Sequence, residues 1–369
     1  MKNSKQPFSS PTILKDFRNK KVFITGHTGF KGSWLSLWLM VLGAKVKGYS
    51  LPPKKKSLYN QLKIQSKIES VYSDIRNYEK LKAEIIKFQP DFIFHLAAQP
   101  LVRESYQTPL ETFETNILGT AHLLESLKFL KKKCVMVIIT TDKVYENLEI
   151  DYAYKESDKL GGYDPYSASK AAAEIVIESY RSSFFNPEKF ELHKKGIASA
   201  RAGNVIGGGD YAKDRIFPDI FRALSKSKTI EIRNPKAIRP WQHVLEPLWG
   251  YLVLGIRLFE NPQNFSTSFN FGPAPEDVIP VETFCKKAIS YWGKGDYKII
   301  DQKNPLHEAG LLKLNNQKAR MLLGWKPKWN SHTAIEKTIY WYKKSLKRNP
   351  DFVAICTEEI NEYLKGNNF

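Results

Sequence analysis

Cysteine is scarce in this chain: Cys134, Cys285 and Cys356 are the only three in 369 residues. They stand far apart, which excludes a disulfide framework and the short spacings of a structural metal site. A reducing, cytoplasmic setting is the expectation. Long apolar runs are missing as well. The longest, Trp34 to Leu42, is broken by Ser36 and falls short of the roughly 20 apolar residues that cross a bilayer. No membrane partner is expected. Met1 to Pro11 carry two lysines and no apolar stretch, so no secretory signal is read there. No segment repeats at a fixed period and no low-complexity tract occurs, which argues against a solenoid or a disordered chain.

Acidic residues are in the minority, 38 against 57 lysines and arginines, for a net charge of +19. Such an excess can serve nucleic acid by neutralising phosphates. Here, however, the lysines are scattered. The clusters Lys54-Lys55-Lys56 and Lys131-Lys132-Lys133 lie beside apparent element ends rather than on one aromatic-studded face. The charge is therefore read as a lysine-rich solvated surface, with no nucleic-acid partner.

What is present is a regular alternation. Val22-Phe23-Ile24, Ala44 to Tyr49, Ile68 to Tyr72, Phe92-Ile93-Phe94 and Val135 to Ile139 read as strands. Ser33 to Leu42, Tyr78 to Phe88 and Thr115 to Leu130 read as the helices between them. Repeated strand-helix alternation predicts an α/β fold, a Rossmann-type doubly wound parallel sheet with right-handed crossovers. From about Asn204 the pattern loosens into Gly- and Pro-punctuated segments, read as a smaller C-terminal substrate-binding lobe. The expected division is a tail over 1–16, a dinucleotide-binding core over 17–204, and mainly the lobe over 205–369. Within the lobe, 243–272 is expected to return to the core as a packing helix.

Three motifs fall where such a sheet binds ligands, at the carboxyl ends of its strands. Thr25-Gly26-His27-Thr28-Gly29-Phe30-Lys31-Gly32 follows the first strand and opens a helix. Closely spaced glycines let the backbone approach a pyrophosphate, and the helix N-terminus offers unpaired N–H groups. The acid that usually grips the adenosine ribose about twenty residues on is missing; Gly48 to Pro53 stand there, followed by three lysines. On these residues alone NADP is as compatible as NAD. Asp74 and Ile75 can still reach an adenine. The second motif is Asp164-Pro165-Tyr166-Ser167-Ala168-Ser169-Lys170, with Asp164 as N-cap and Pro165 at the first helical position. Tyr166 and Lys170, four apart, share a helix face, where an ammonium can lower the phenol's pKa and orient a ribose. The third, Thr140-Thr141-Asp142-Lys143-Val144-Tyr145, follows the strand Val135 to Ile139.

These residues resemble those of the extended short-chain dehydrogenase/reductase superfamily and, within it, the nucleotide-sugar 4,6-dehydratases. Long stretches are similar to CDP-glucose 4,6-dehydratases: GHTGFKGSWLSLWL from Gly26, HLAAQPLVRESY from His95, TTDKVYEN from Thr140, LGGYDPYSASKAAAE from Leu160, SARAGNVIGGGDYAKDR from Ser199, and IRNPKAIRPWQHVLEPLWGYL from Ile232. The resemblance runs from about Asn19 to Pro273. It implies that Gly26, Gly29, Phe30 and Gly32 hold a pyrophosphate, and that Asp74 and Ile75 take the adenine. Leu96, Ala97, Ala98, Thr115, Tyr166 and Lys170 would take the remaining nucleotide and nicotinamide. It also places NAD ahead of NADP, as a regenerated hydride store.

The activity implied is conversion of a nucleotide-diphosphate hexose, CDP-glucose, to its 4-keto-6-deoxy form with loss of water, in deoxysugar and surface-polysaccharide precursor synthesis. Tyr166 would take the C4 hydroxyl proton while Thr141 holds that hydroxyl, and Asp142 would protonate the departing C6 hydroxyl. Related dehydratases carry a glutamate where this chain has Lys143, so Lys143 is read either as the C5 base or as a support for Asp142. Arg239, Asn204, Gln99 and Arg215 are the expected substrate contacts, with Arg233 weaker. His243 is expected to be a packed or surface histidine. Kindred readings are a dehydratase of GDP-, UDP- or dTDP-hexoses or a nucleotide-sugar epimerase. A scaffold protein on a degenerate cofactor fold is a distant one. A homodimer or homotetramer is implied by the resemblance alone.

Overall fold

A computed structural model describes residues 16–300 and 311–365. The tail read over 1–16 lies, except for Asp16, outside the described residues. Seven strands make one sheet: β1 (Lys21–Thr25), β2 (Lys45–Ser50), β3 (Glu69–Tyr72), β4 (Phe92–His95), β5 (Cys134–Ile139), β6 (Lys195–Ala202) and β7 (Ser268–Phe271). Their order is β7-β6-β5-β4-β1-β2-β3, parallel throughout. The order reverses between β1 and β4, and that reversal opens the crevice in which such sheets hold ligands. All six residues of β5 are buried, which is why it reads as an unbroken apolar run rather than an alternating one.

The helices that matter are α1 (Phe30–Val41), α2 (Tyr78–Phe88), α3 (Gly119–Leu127), α4 (Pro165–Ser183), α5 (Ile216–Leu224), α6 (Leu245–Glu260), α7 (Val281–Trp292), α8 (Ser331–Ser345) and α9 (Phe352–Leu364). On one side of the sheet, α1 and α6 bury Trp34, Trp38, Leu252 and Leu254 in a large cluster with Phe92, Phe94 and Ala200. On the other, Leu123, Leu127 and Ile177 from α3 and α4 meet Ile93, Met136 and Ile138. In the segment α6 to β7, the helix packs on the sheet face and the strand extends the sheet beside β6. This leaves the lobe built on α5, α7 and the short parallel pair Ile230–Ile232 and Tyr297–Ile299.

Two features depart from the sequence expectations. The helix expected over 115–130 is not continuous: the chain is helical from Pro109, widens through Glu114–Leu118 and resumes as α3. The wide turn brings the Asn116 side chain onto the loop after β4, as described below, and such single wide turns are frequent at functional sites. The C-terminal helix α9, assigned to the lobe by its place in sequence, is seated on α1 instead. The Tyr363 ring meets Trp38 edge-on at 6.1 Å, and Glu359 pairs with the fully buried His243 at 2.7 Å. Both contacts serve core packing, and His243 is packed rather than at the surface.

Candidate active site

The loop after β1 is shaped by its glycines. Gly26 has φ +74°, and a Cβ there would stand 2.7 Å from the Ala97 amide nitrogen. A Cβ on Gly32 would stand 2.1 Å from the Gly26 carbonyl oxygen. Only glycine lets β1, the β4 end and the first turn of α1 approach this closely. Gly29 caps α1 without a side-chain acceptor, so the first N–H groups of a twelve-residue helix face the crevice with the positive end of its dipole. This cradle fits a dinucleotide pyrophosphate. Beyond β2, the Thr28 hydroxyl shares a hydrogen bond with Ser50 at 2.8 Å and donates to the Leu51 carbonyl at 3.0 Å. Hydroxyls thus stand where the usual ribose-gripping acid is absent.

At the adenine end, both carboxylate oxygens of Asp74 are engaged by Arg76, at 2.7 Å and 3.1 Å. The Arg76 guanidinium holds the Asp74 carboxyl below its ordinary pKa, and Arg76 reaches Glu114 at 2.9 Å. Ile75 is buried beside Gly119, where a Cβ would meet its side chain at 2.7 Å. After β4, Leu96 and Ala97 line the glycine loop, followed directly in the chain by Ala98. The Gln99 amide donates to the Thr112 hydroxyl at 2.9 Å, and its oxygen accepts from the Leu101 N–H at 2.6 Å. Gln99 is thereby spent on its own loop and does not line the cavity. Thr115 sits half-buried in the wide turn.

The three remaining chemical groups converge. Asp164 accepts the Ser167 N–H at 2.9 Å and caps α4, which presents Tyr166 and Lys170 on one face against the end of β5. The Thr141 hydroxyl is near enough to Tyr166 to act on its phenol and donates to Asp142 Oδ1 at 2.8 Å. The other oxygen of Asp142, Oδ2, is buried and has no hydrogen-bond partner among the described residues. The Lys143 ammonium stands 3.6 Å from Asp142 Oδ1. Burial pushes the Tyr166 phenol up to about 12, with the Thr141 hydroxyl and the Arg215 charge working against it. Burial also pushes Lys170 down to about 8, opposed by Glu174. The Lys170 ammonium donates to the Ile139 carbonyl at 3.2 Å. The sequence argument has Lys170 relieving the phenol. In the structure, Thr141 and Arg215 also oppose the upward push on the phenol.

Thr141, Lys143, Tyr166, Asn204, Arg215, Arg233 and Arg239 all line one cavity of about 970 Å³ between the sheet edge and the lobe. Asp142 and Lys170 lie just behind its wall. Arg215 is held by Asp210 at 3.0 Å and Arg233 by Asp214 at 3.0 Å. Arg239 pairs with Ile279 in a short antiparallel strand pair of the lobe, with one guanidinium N–H on its neighbour's carbonyl at 3.1 Å. With Lys143 and these arginines among the cationic side chains lining it, the cleft suits a diphosphate.

Several participants carry no sequence signal of their own. Lys31, placed between glycines of the loop, lines the cavity and reaches the Tyr251 hydroxyl at 3.5 Å. Burial, then Arg215 and Lys170, push it down to about 7. Asn116 ties the β4 loop to α4: its amide donates to the Gln99 carbonyl at 3.1 Å and to the Ser169 hydroxyl at 2.8 Å. Glu174 and Arg201 form a buried pair at 2.9 Å. Among the described residues, no group of histidine, cysteine and acidic side chains is arranged to hold a metal ion, and no helix is long and apolar enough to cross a membrane.

Residues 23–254 match the GDP-mannose 4,6 dehydratase family. The chain is 48% identical over 356 residues to the CDP-glucose 4,6-dehydratase of Salmonella typhimurium, covering 96% of this chain and 99% of that protein. Among solved structures it resembles dTDP-glucose 4,6-dehydratase from Bacillus anthracis in complex with NAD, with TM-score 0.73 and 21% identity over 88% of this chain and 97% of that one. It also resembles UDP-glucuronic acid 4-epimerase from Bacillus cereus in complex with UDP-glucuronic acid and NAD, with TM-score 0.75 and 22% identity over 88% and 99%.

Proposed function

The chain belongs to the GDP-mannose 4,6 dehydratase family, and from that premise we propose that it converts CDP-glucose to CDP-4-keto-6-deoxyglucose with loss of water. The observation that carries the reading is the meeting of Thr141 and Tyr166 on the lining of one cavity, with Asp142 bonded to Thr141 just behind it and Arg215 and Arg239 on the same lining. NAD, bound along the glycine cradle, supplies the hydride acceptor for the first step and the donor for the last.

Tyr166 takes the proton from the C4 hydroxyl, which Thr141, beside the phenol on the cavity lining, orients. A phenol at about 12 is a poor base at neutral pH, so the deprotonated form needs positive charge nearby. Arg215 supplies part of it, and the Lys170 ammonium lies one turn along the same face. Once C4 is a ketone, the C5 proton is acidified and a base can remove it. Lys143, at the cavity wall, is the base we assign: its ammonium proton passes to Asp142, 3.6 Å away, and the neutral amine that remains takes the C5 proton while Asp142 holds the proton for the leaving hydroxyl. Asp142 protonates the departing C6 hydroxyl through its unpartnered Oδ2. Arg239 and Arg215 grip the diphosphate, with Asn204 beside them.

We place the enzyme in the cytoplasm, in keeping with three buried free thiols. We assign it a homodimeric or homotetrameric assembly; the exposed Ile175 and Phe184 on α4 are the apolar surface that supports this. The test of function incubates the protein and NAD with CDP-, dTDP-, GDP- and UDP-hexoses and follows the alkali absorbance of a 4-keto-6-deoxy sugar. Product from CDP-glucose is expected. Product only from another sugar would overturn the substrate, and none from any would overturn the class.

A further inference from the structure

Beneath the cavity floor lies a buried polar network that the reaction described above does not use. Glu174 stands on α4 one helical turn past Lys170, 3% exposed. Its Oε1 accepts the Thr140 hydroxyl at 2.5 Å, and its Oε2 accepts the Ser199 hydroxyl at 2.8 Å and an Arg201 N–H at 2.9 Å. Arg201 donates onward to the Tyr145 hydroxyl at 2.9 Å and the Glu156 carbonyl at 3.1 Å. Tyr145 donates to Asn270 on β7 at 2.7 Å. One carboxylate therefore connects the helix of Tyr166 and Lys170 to the residue before Thr141-Asp142, to β6 and, through Arg201, to β7.

A buried ion pair is a weak source of stability, because desolvating both charges offsets their attraction. Its placement calls for another account. We propose that Glu174 is a positioning residue for the oxidation centre: it fixes α4 against the β5 end and supplies the negative charge that keeps the Lys170 ammonium charged in its buried pocket. The proposal rests on the reading that Tyr166 and Lys170 perform the C4 oxidation.

The charges around this pair agree with it. Lys170 is faced by Glu174 from its own helix, by Lys31 from α1 and by His95 from β4. His95, held between Thr25 and Thr120, is pushed down to about 3 by burial and then by Lys170, and is neutral. Of these neighbours only Glu174 favours the charged form of Lys170. Glu174 in turn faces Arg201 from β6 and Arg181 farther along α4. Burial pushes its carboxyl up, but Arg201 and the two hydroxyls outweigh this and hold it below its ordinary value.

The experiment is the pH profile of kcat for CDP-glucose turnover by the full-length, NAD-loaded enzyme. Loss of the Lys170 proton should set the alkaline limb. Glu174→Gln is expected to move that limb to lower pH by about one unit. Because Glu174→Gln leaves Arg201 buried without its partner, the paired variant Glu174→Gln with Arg201→Met is measured beside it and is expected to keep the shift. Glu174→Asp, which retains the charge, is expected to bring the limb back toward its original place. A limb unmoved in the paired variant, or displaced by Asp as far as by Gln, would overturn the proposal and leave Glu174 as the counter-charge of Arg201. Failure of the underlying reading looks different: Tyr166→Phe would then turn over CDP-glucose normally.

Discussion

Thr141 donates its hydroxyl to Asp142 Oδ1 at 2.8 Å, leaving Asp142 Oδ2 buried with no hydrogen-bond partner among the described residues. A buried carboxylate oxygen without a partner is costly, and it marks the position where a leaving hydroxyl would complete the set. Asp142→Asn keeps the size and the contact with Thr141 but cannot give up a proton in the same way. We expect turnover to fall by about 10²–10⁴, the usual contribution of a general acid, while nicotinamide absorbance still rises in a single turnover. Product formation and nicotinamide absorbance, followed together, check this. Equal loss of both would place Asp142 in the oxidation step instead.

Gly32 tests the cradle. A Cβ there would meet the Gly26 carbonyl oxygen at 2.1 Å and the His27 Cα at 2.7 Å, and neither backbone atom can turn aside. Gly32→Ala is expected to tilt the first turn of α1 away from the loop. The purified variant should carry little or no NAD and bind added NAD at least about tenfold more weakly, since the helix N–H groups lose their aim. Cofactor content after denaturation and a titration of added NAD measure it. Full NAD occupancy would show that the pyrophosphate lies elsewhere.

Five of the seven sheet strands were legible as short runs rich in branched and aromatic residues, and two of the three motifs follow one directly, whereas Ser268–Phe271 carries no such run. Thr140 to Lys143 sit past β5, and Gly26 to Gly32 past β1, where a parallel sheet exposes its carboxyl edge. The N-cap Asp164 and Pro165 announced α4 by local chemistry alone. Gln99 shows what the sequence leaves open: a polar residue at a strand end can face a ligand or close its own loop, and in the structure its amide meets Thr112 and Leu101. Asn116, Glu174 and Arg201 left no trace because their partners are brought in by folding. The wide turn at Glu114–Leu118 depends on the fit of Gly119 against Ile75. The seat of α9 on α1 likewise depends on rings such as Trp38 and Tyr363 meeting across the whole length of the chain.

Glu246 makes stability depend on pH. Its carboxylate, at the start of α6, accepts the Trp329 N–H at 2.6 Å, the Lys328 N–H at 3.0 Å and the Tyr363 hydroxyl at 2.8 Å. Burial nonetheless pushes it up to about 7 from its ordinary 4.5, because those hydrogen bonds only partly offset desolvation. A carboxyl with a raised folded-state pKa favours folding below its unfolded value and loses that contribution as pH rises through about 7. Glu246→Gln keeps the shape without the charge. The wild type should therefore lose more stability between about pH 5 and pH 8 than the variant, by on the order of 1–3 kcal/mol, seen as a larger fall in melting temperature. Parallel curves in calorimetry would contradict it.

Lys143 is the sharpest remaining choice, because its ammonium lies 3.6 Å from Asp142 Oδ1 and yet lines the cavity. As the C5 base it must reach the sugar. As a support it need only hold Asp142. Lys143→Met removes the amine and preserves most of the stem's apolar packing. If Lys143 is the base, the variant oxidises C4 and stalls there: nicotinamide absorbance appears, product does not, and CDP-glucose recovered from deuterated buffer carries no deuterium at C5. Turnover should fall by about 10²–10⁴. If it merely supports Asp142, C5 exchange continues and only departure of the C6 hydroxyl slows, so deuterium enters recovered substrate without product. Mass spectrometry of the recovered sugar separates the two outcomes, and full turnover by the variant would exclude both roles.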